Sequence, residues 1–406
     1  MNAQPLKREA LSHVLESLLR SELALTRRGV STQAGLGSTR GALWTDDLHL
    51  GDDGEGSLGC DSLDRMRLAA ATNEMFHLNE VDQELDLLSD PTFGAWLNAI
   101  EIAWRRGVSR ITFTTSGSTG TPKRCTHEFT DLQTEVNFLG EVFAGRTRVV
   151  LFAPLHHIYG FLLGAMLPNT LGAETVLATM PEGARFNSLL QAGDLVVSFP
   201  EQWQWFERTV GHWPEDVQGV VSTAPCPSEL LAALHERGLQ KMTELYGSSE
   251  TGGIGLRFWP EAKYRFMPHW QTVSAREEGS MELINTSGRR VCLMDRLRID
   301  VEGTFTLEGR TDGAVQVGGT NVHPFRIAAL LRTHPDVSDA VVRLMRPEQG
   351  SRLKAFIVAC YGVDCDVLRL ELETRCSQSL RSFERPTALT FGTCLPKNYM
   401  GKECDW

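Results

Sequence analysis

Along residues 7 to 25, apolar side chains recur at Leu11, Val14, Leu15, Leu18 and Leu19, the spacing of a helix that buries one face. A Gly/Ser/Thr-rich run from Gly29 to Gly41 then reads as loop. A second helical pattern begins at Ser62, with Leu63, Met66 and Ala70 on one stripe and Leu68, Ala71 and Met75 on the adjoining one. Phe76 follows fourteen positions after Ser62, and Pro91-Thr92-Phe93 opens another helix carrying Trp96, Leu97 and Ile100. The pattern changes near residue 110: Ile111-Thr112-Phe113 has the β-branched and aromatic make-up of a strand. Between Ala340 and Cys360, two β-branched runs flank Arg346-Pro347-Glu348-Gln349-Gly350 and predict a hairpin. A helical front end is thus expected before an α/β body.

The chain has 406 residues, 42% of them hydrophobic, enough for two or three domains with their own cores. It has no uninterrupted apolar run of ~18 residues, and Met1 to Arg20 lacks the apolar centre of a signal peptide. A soluble, cytoplasmic protein with no membrane span is therefore expected. Nine cysteines are scattered without a C-x-x-C pair or a His/Cys cluster at zinc spacing, which predicts reduced thiols. The net charge of −11 argues against a nucleic-acid partner. Between Asp46 and Asp90, thirteen acidic residues face only Arg65 and Arg67, so the front end carries the imbalance and the rest is close to neutral.

Thr114-Thr-Ser-Gly-Ser-Thr-Gly-Thr-Pro-Lys123 follows the predicted strand directly. Glycines let backbone N–H groups approach an anion, hydroxyls add donors, and the lysine brings a mobile charge, so this is a candidate phosphate cradle. The same composition also suits a surface turn. It is not the Walker A pattern, because the lysine follows Pro122 and no Ser or Thr comes after it.

This stretch resembles the phosphate loop of the adenylate-forming superfamily of acyl-CoA synthetases, peptide-synthetase adenylation domains and luciferases. Further motifs of that family follow in order. Tyr246-Gly-Ser-Ser-Glu-Thr-Gly-Gly253 resembles its second nucleotide motif, and Asp295, fifteen positions before Arg310, its ribose-binding aspartate. Gly309-Arg-Thr-Asp-Gly313 and Gly318-Gly-Thr-Asn-Val-His-Pro324 resemble the hinge and the loop after it, and Leu395 to Lys402 the closing motif.

The resemblance implies attack of a carboxylate on the α-phosphorus of ATP, giving an acyl-adenylate and pyrophosphate, then transfer to a thiol. It implies that Thr115, Ser116, Gly117, Ser118, Thr119, Gly120 and Lys123 hold the β- and γ-phosphates. Glu250 would hold Mg²⁺, with Ser249 at the α-phosphate and Tyr246 and Gly247 by the adenine, although Tyr246 also reads as an ordinary core tyrosine. Asp295 and Arg310 would bind ribose, Asp312 would be the hinge, and Lys402 would reach the carboxylate.

Pro154-Leu-His-His-Ile-Tyr-Gly-Phe161 resembles the His motif of the acid pocket, with His157 as the motif histidine, and Ser222-Thr-Ala-Pro225 another wall of it. Tyr159, Phe161, Ser222, Ala224 and Trp270 would then line a pocket for a flat acid. A histidine in an apolar run is also often just a hydrogen-bonded core residue. Two departures stand out: Arg326 where the family usually has glutamate, and Gln316 where a basic residue is common.

Asp61-Ser62-Leu63 at a helix start, Phe76 at its end and the acidic block resemble an acyl carrier protein, whose serine bears phosphopantetheine. Alternatively, Ser62 is simply a helix cap. The expected organisation is a helical carrier-like domain at 1–108, an adenylation core of reduced size at 109–309 and a small mobile α+β C-terminal domain at 310–406.

The expected activity is ATP- and Mg²⁺-dependent loading of an aromatic acid, such as a hydroxybenzoate, onto the phosphopantetheine of a carrier protein, on Ser62 or on a separate chain. Such enzymes are similar to the acid-loading ligases of aryl-polyene and xanthomonadin pigment pathways. The alternatives are a ligase that uses free CoA, with the front end only structural, and a docking protein that has lost the chemistry.

Overall fold

The computed structural model describes residues 6–26, 44–51, 57–84, 86–115, 123–178, 188–224, 226–275, 281–346, 349–396 and 406. They form two compact units, Met1–Gln271 with Asn285–Arg289, and Thr272–Ile284 with Arg290–Trp406.

In the first unit a sheet is built from β3 (Arg148–Leu151), β4 (Glu174–Leu177), β5 (Leu195–Ser198), β6 (Gln218–Val221), β7 (Lys241–Ser248), β8 (Gly252–Phe258) and β9 (Tyr264–Phe266). Their order is β9-β8-β7-β6-β5-β3-β4. Strands β4, β3, β5, β6 and β7 run parallel, and β8 and β9 turn antiparallel. The parallel strands are short apolar runs; β5 is buried at all four positions, as a strand covered on both faces must be. Val150, Val196, Trp203, Phe206 and Trp213 form the core on one side of the sheet. Ahead of the sheet, β1 (Arg110–Thr115) and β2 (Lys123–Glu128) pair antiparallel with Thr115 opposite Lys123, so residues 116–122 connect the two ends of one hairpin.

The front end folds onto this body and lies in the same unit, so the boundary expected at 108 does not separate two compact units. Helix α1 (Arg8–Thr26) buries Leu11, Val14, Leu15, Leu18 and Leu19, the stripe read from the sequence. Helix α2 (Ser62–Phe76) differs from expectation in two respects. Its cap is Asp61, whose carboxylate accepts the Asp64 N–H at 2.7 Å, and Ser62 is the exposed first helical residue. Leu63 and Met66 are 54% and 59% exposed, while Leu68, Ala69, Thr72, Met75 and Phe76 are buried. Thr72 tolerates burial because its hydroxyl donates to the Leu68 carbonyl at 2.9 Å. After a short turn of helix, α3 (Asp86–Ser89), comes α4 (Phe93–Arg105). Thr92 caps α4, which buries Trp96, Leu97 and Ile100 as expected.

In the second unit, strands Asp295–Ile299 and Thr304–Arg310 pair antiparallel. The hairpin Val315–Val317/Thr320–Val322 turns through Gly318 and Gly319, both at positive φ (55° and 73°), the two-residue turn that glycine favours. The expected hairpin is Val337–Leu344 with Leu353–Ala359, joined in parallel by Ala388–Gly392. Helices Pro324–Arg332 and Cys365–Ser379 cover it over a core of Ile327, Leu331, Ala340, Ile357 and Leu368. The unit is α+β, and it extends back to Thr272–Ile284 and Arg290 rather than starting at 310. His334, Asp336 and Glu371 are close enough to share a cation, but the Asp336 N–H donates to His334 Nδ1 at 3.3 Å. His334 Nε2 lies 3.4 Å from a Glu371 carboxylate oxygen. No helix among the described residues is long and apolar enough to cross a membrane.

Candidate active site

Lys123 is the first residue of β2, and its Nζ donates to Glu250 Oε1 at 2.6 Å. Glu250 sits on the turn from β7 to β8, with Ser248 opposite Gly252. The register of one hairpin and the turn of another thus bring together a cation and an anion 127 residues apart. Burial works against the Glu250 charge, but the hydrogen bond from Lys123 and backbone N–H contacts hold its carboxyl below the ordinary value. An ionised carboxylate beside a mobile ammonium on a half-exposed turn suits a hard cation that keeps most of its ligands as phosphate and water.

Beneath this turn lies a set of braces that the motifs did not announce. His127 Nε2–H donates to the Ser249 carbonyl at 2.7 Å. Arg289 donates through Nη1 to His127 Nδ1 at 3.1 Å and through Nη2 to the Glu250 carbonyl at 2.7 Å. Arginine can only donate, so His127 must accept at Nδ1 and is neutral; burial accordingly lowers its pKa to about 4.

Glu135, on α5 (Phe129–Val142), accepts the Gly253 N–H at 3.0 Å with both oxygens. Trp270 Nε1 donates to the Gly253 carbonyl at 2.8 Å. Gly252 takes φ 72°, and a Cβ there would lie 2.5 Å from Glu135 Oε2. Only glycine therefore fits over the buried carboxyl. In the sequence, His127 is detectable as a polar residue at an inward position of β2, whose burial alternates from Arg124 onward; nothing local marks Glu135 or Arg289.

Burial raises the Glu135 pKa to about 7, against the pull of the Gly253 N–H. The folded state then holds a proton that the unfolded state loses between pH ~4.5 and ~7, so this group costs stability as pH rises through that window. Glu135→Gln, neutral throughout and still an acceptor, is expected to stabilise the protein at pH 8 by about 1–3 kcal/mol and hardly at all at pH 4.5. Parallel melting curves for the two proteins across this range would show that Glu135 is not protonated in the fold.

The acid-side residues divide. His157 caps the short helix Ile158–Phe161, is exposed, and lies with its ring 4.3 Å from that of His156. Tyr159 is tied down, its hydroxyl meeting the carbonyls of Ser198 at 2.9 Å and Val220 at 3.3 Å at the ends of β5 and β6. Ser222 Oγ donates to the Leu245 carbonyl at 2.8 Å, and Ala224 is half-buried beside it. Thr223 between them has φ 77°, a conformation costly for a β-branched residue and therefore a mark of a constrained turn.

Two expected pocket residues are buried and have partners. Phe161 is fully buried against Phe113, with centroids 5.3 Å apart, because its helix turns it into the core. Trp270 is buried as the Gly253 brace described above.

Tyr246 is half-buried in β7 with its ring 5.9 Å from that of Tyr264. A Cβ at Gly247 would strike the Gly252 carbonyl at 2.2 Å, so this glycine is needed for strand closeness. In the second unit Asp295 stands opposite Arg310 in register, with 3.5 Å between their charged atoms. Asp312 accepts from Arg310 at 2.9 and 2.8 Å, which pulls its carboxyl below the ordinary range. Ser116, Gly117, Ser118, Thr119, Gly120 and Lys402 lie outside the described residues, as does the side chain of Thr115.

A family model described as AMP-binding enzyme matches residues 108–324, and one described as AMP-binding enzyme C-terminal domain matches 326–402. A 4-coumarate–CoA ligase of Halorhodospira halophila is 36% identical over 84% of this chain and 87% of its own length. Another 4-coumarate–CoA ligase, from Cereibacter sphaeroides, is 34% identical over 99% of this chain and 97% of its own. A solved o-succinylbenzoate CoA synthetase double mutant from Bacillus subtilis shares the fold, with TM-score 0.57, 19% identity, and coverage of 72% of this chain and 67% of that one.

Proposed function

This chain belongs to the AMP-binding enzyme family and is an adenylate-forming acid–thiol ligase; from that premise we propose that it activates an aromatic acid of the hydroxycinnamate class and passes it to coenzyme A. The observation that carries the reading is the Lys123–Glu250 pair on its braced turn, which supports reading the hairpin as a phosphate cradle and the carboxylate as a metal ligand.

In this reading the acid's carboxylate oxygen bonds to the α-phosphorus of ATP as the bond to pyrophosphate breaks. Glu250 would hold Mg²⁺, which when bound would supply charge neutralisation on the phosphate oxygens. Lys123 and the 115–120 segment hold the β- and γ-phosphates, Ser249 the α-phosphate, and Tyr246 and Gly247 flank the adenine. Asp295 accepts from the ribose hydroxyls and Arg310 donates. Lys402 steadies the carboxylate, and Asp312 serves as the hinge residue between adenylation and thiolysis. Catalysis is then mostly positioning and electrostatics, since the chain has no covalent step of its own to perform.

CoA replaces the carrier as the favoured acceptor for two reasons. The 4-coumarate–CoA ligase from C. sphaeroides matches 99% of this chain, front end included. The front helices are also bonded into the body rather than tethered to it. The carrier reading retains one specific support, the exposed Ser62 on the first turn of α2 between Asp61 and the exposed Leu63.

The experiment is to supply ATP, Mg²⁺, 4-hydroxycinnamate and CoA, and to follow thioester and AMP by mass and absorbance. Wild type and Ser62→Ala are expected to form the CoA thioester at equal rates. A phosphopantetheine adduct on Ser62, formed with CoA and a broad phosphopantetheinyl transferase and then acylated in preference to free CoA, would restore the carrier reading.

A further inference from the structure

We propose that the front end is a working part of the active site: Ser17 positions the acid-side turn, and Glu74 positions the neck of the phosphate loop. The inference rests on the adenylating reading above but concerns residues that no motif of the chain includes.

On the acid side, one hydroxyl from α1 serves two successive residues. Ser17 Oγ accepts the Leu155 N–H at 3.1 Å and shares a 2.8 Å hydrogen bond with His156 Nδ1. Burial lowers the His156 pKa to about 3, so the ring is neutral and one of its nitrogens accepts. His157 follows directly, its N–H returning to the Pro154 carbonyl at 3.2 Å. The turn is tight: a Cβ on Gly160 would meet the Pro154 carbonyl at 2.1 Å. The direction in which His157 presents itself is therefore set by a turn whose outer anchor is Ser17. Without that hydroxyl, the Leu155 N–H and the half-buried imidazole each lose a partner.

On the phosphate side, Glu74 near the end of α2 spans the hairpin just below the loop. Its Oε1 accepts from Thr114 Oγ1 at 3.1 Å and Arg124 Nε at 2.6 Å, and its Oε2 from Arg124 Nη2 at 2.7 Å. Thr114 and Arg124 are cross-strand partners, one step from Thr115 and Lys123 where the loop begins and ends. A second rung is held from the same helix end: His77 Nε2 meets Thr112 Oγ1 at 2.8 Å, and Thr112 meets its partner Thr126 at 2.7 Å. An exposed ion pair adds little to stability. What this one fixes is the separation and register of the two strands that carry the loop.

The two contacts predict opposite kinetic signatures. AMP release is measured with ATP or acid varied in turn, and ATP binding by calorimetry without turnover. Glu74→Gln is expected to raise KM for ATP and weaken ATP binding by about three- to tenfold, with KM for the acid unchanged. Ser17→Ala is expected to raise KM for the acid by a similar factor and leave ATP binding alone, and Ser17→Thr, which keeps the hydroxyl, to recover most of the loss. A merely structural front end would move both constants together or neither, and either result overturns the proposal. Wild type that binds ATP but turns over no acid would overturn the reading of the reaction, while the calorimetric comparison of Glu74→Gln with Ser17→Ala still decides the assignment of Glu74.

Discussion

Glu250→Gln is expected to slow acid-dependent AMP formation by about 100- to 1000-fold at saturating ATP, with the melting temperature little changed. The amide keeps the size of the side chain and can still accept from Lys123, now without the charge pair at 2.6 Å. It cannot offer Mg²⁺ an anionic oxygen, so the loss should fall on the chemical step and on the Mg²⁺ concentration giving half-maximal rate. The pH profile supplies a second check. The Glu250 carboxyl titrates below its ordinary value, so wild-type activity should not fall with its protonation until well into the acid range. Unchanged rates in Glu250→Gln would remove Glu250 from the metal site.

The second large effect is expected from a residue that meets no substrate. Arg289→Ala removes the donor to the Glu250 carbonyl and the donor to His127 Nδ1 together. The Glu250 carbonyl and the imidazole nitrogen then lose partners in a part-buried site, at about 1–3 kcal/mol each. The turn that carries Glu250 is freed to shift, and a drop of about 10- to 100-fold in kcat is expected, with a higher Mg²⁺ requirement. Arg289→Lys can restore one of the two bonds but not both, because a single ammonium cannot reproduce the fork. It should therefore lie between Ala and wild type, whereas a lysine variant as active as wild type would argue that the positive charge, rather than the two-bond brace, governs the turn.

What the sequence reveals and what it hides separate along physical lines. The β1–β2 hairpin ending at Lys123, the Glu250 turn and the Asp295–Arg310 pair are legible because each rests on a few residues in fixed spacing. The braces are not, because Arg289 reaches His127 across 162 positions and only the fold puts them together.

The surroundings of aromatic residues are not legible in the sequence. Phe161 and Trp270 are as apolar as any wall residue, and nothing in their neighbourhood states that one faces Phe113 and the other the Gly253 carbonyl. Helix α2 presents two adjoining stripes, and the buried one includes Thr72, a polar residue that satisfies its own hydroxyl within the helix. The front end was read as a domain apart because its composition and charge differ from the rest. Composition does not report that Ser17 and Glu74 each reach into the body.

Acid-dependent exchange of labelled pyrophosphate into ATP, with 4-hydroxycinnamate as the acid and Mg²⁺ present, tests the central claim most directly, because it reports adenylate formation without any acceptor. Exchange that requires the acid, saturates with it, and falls at least about 100-fold in Glu250→Gln is the predicted result. Exchange that proceeds equally without the acid, or that survives unchanged in Glu250→Gln, would contradict it.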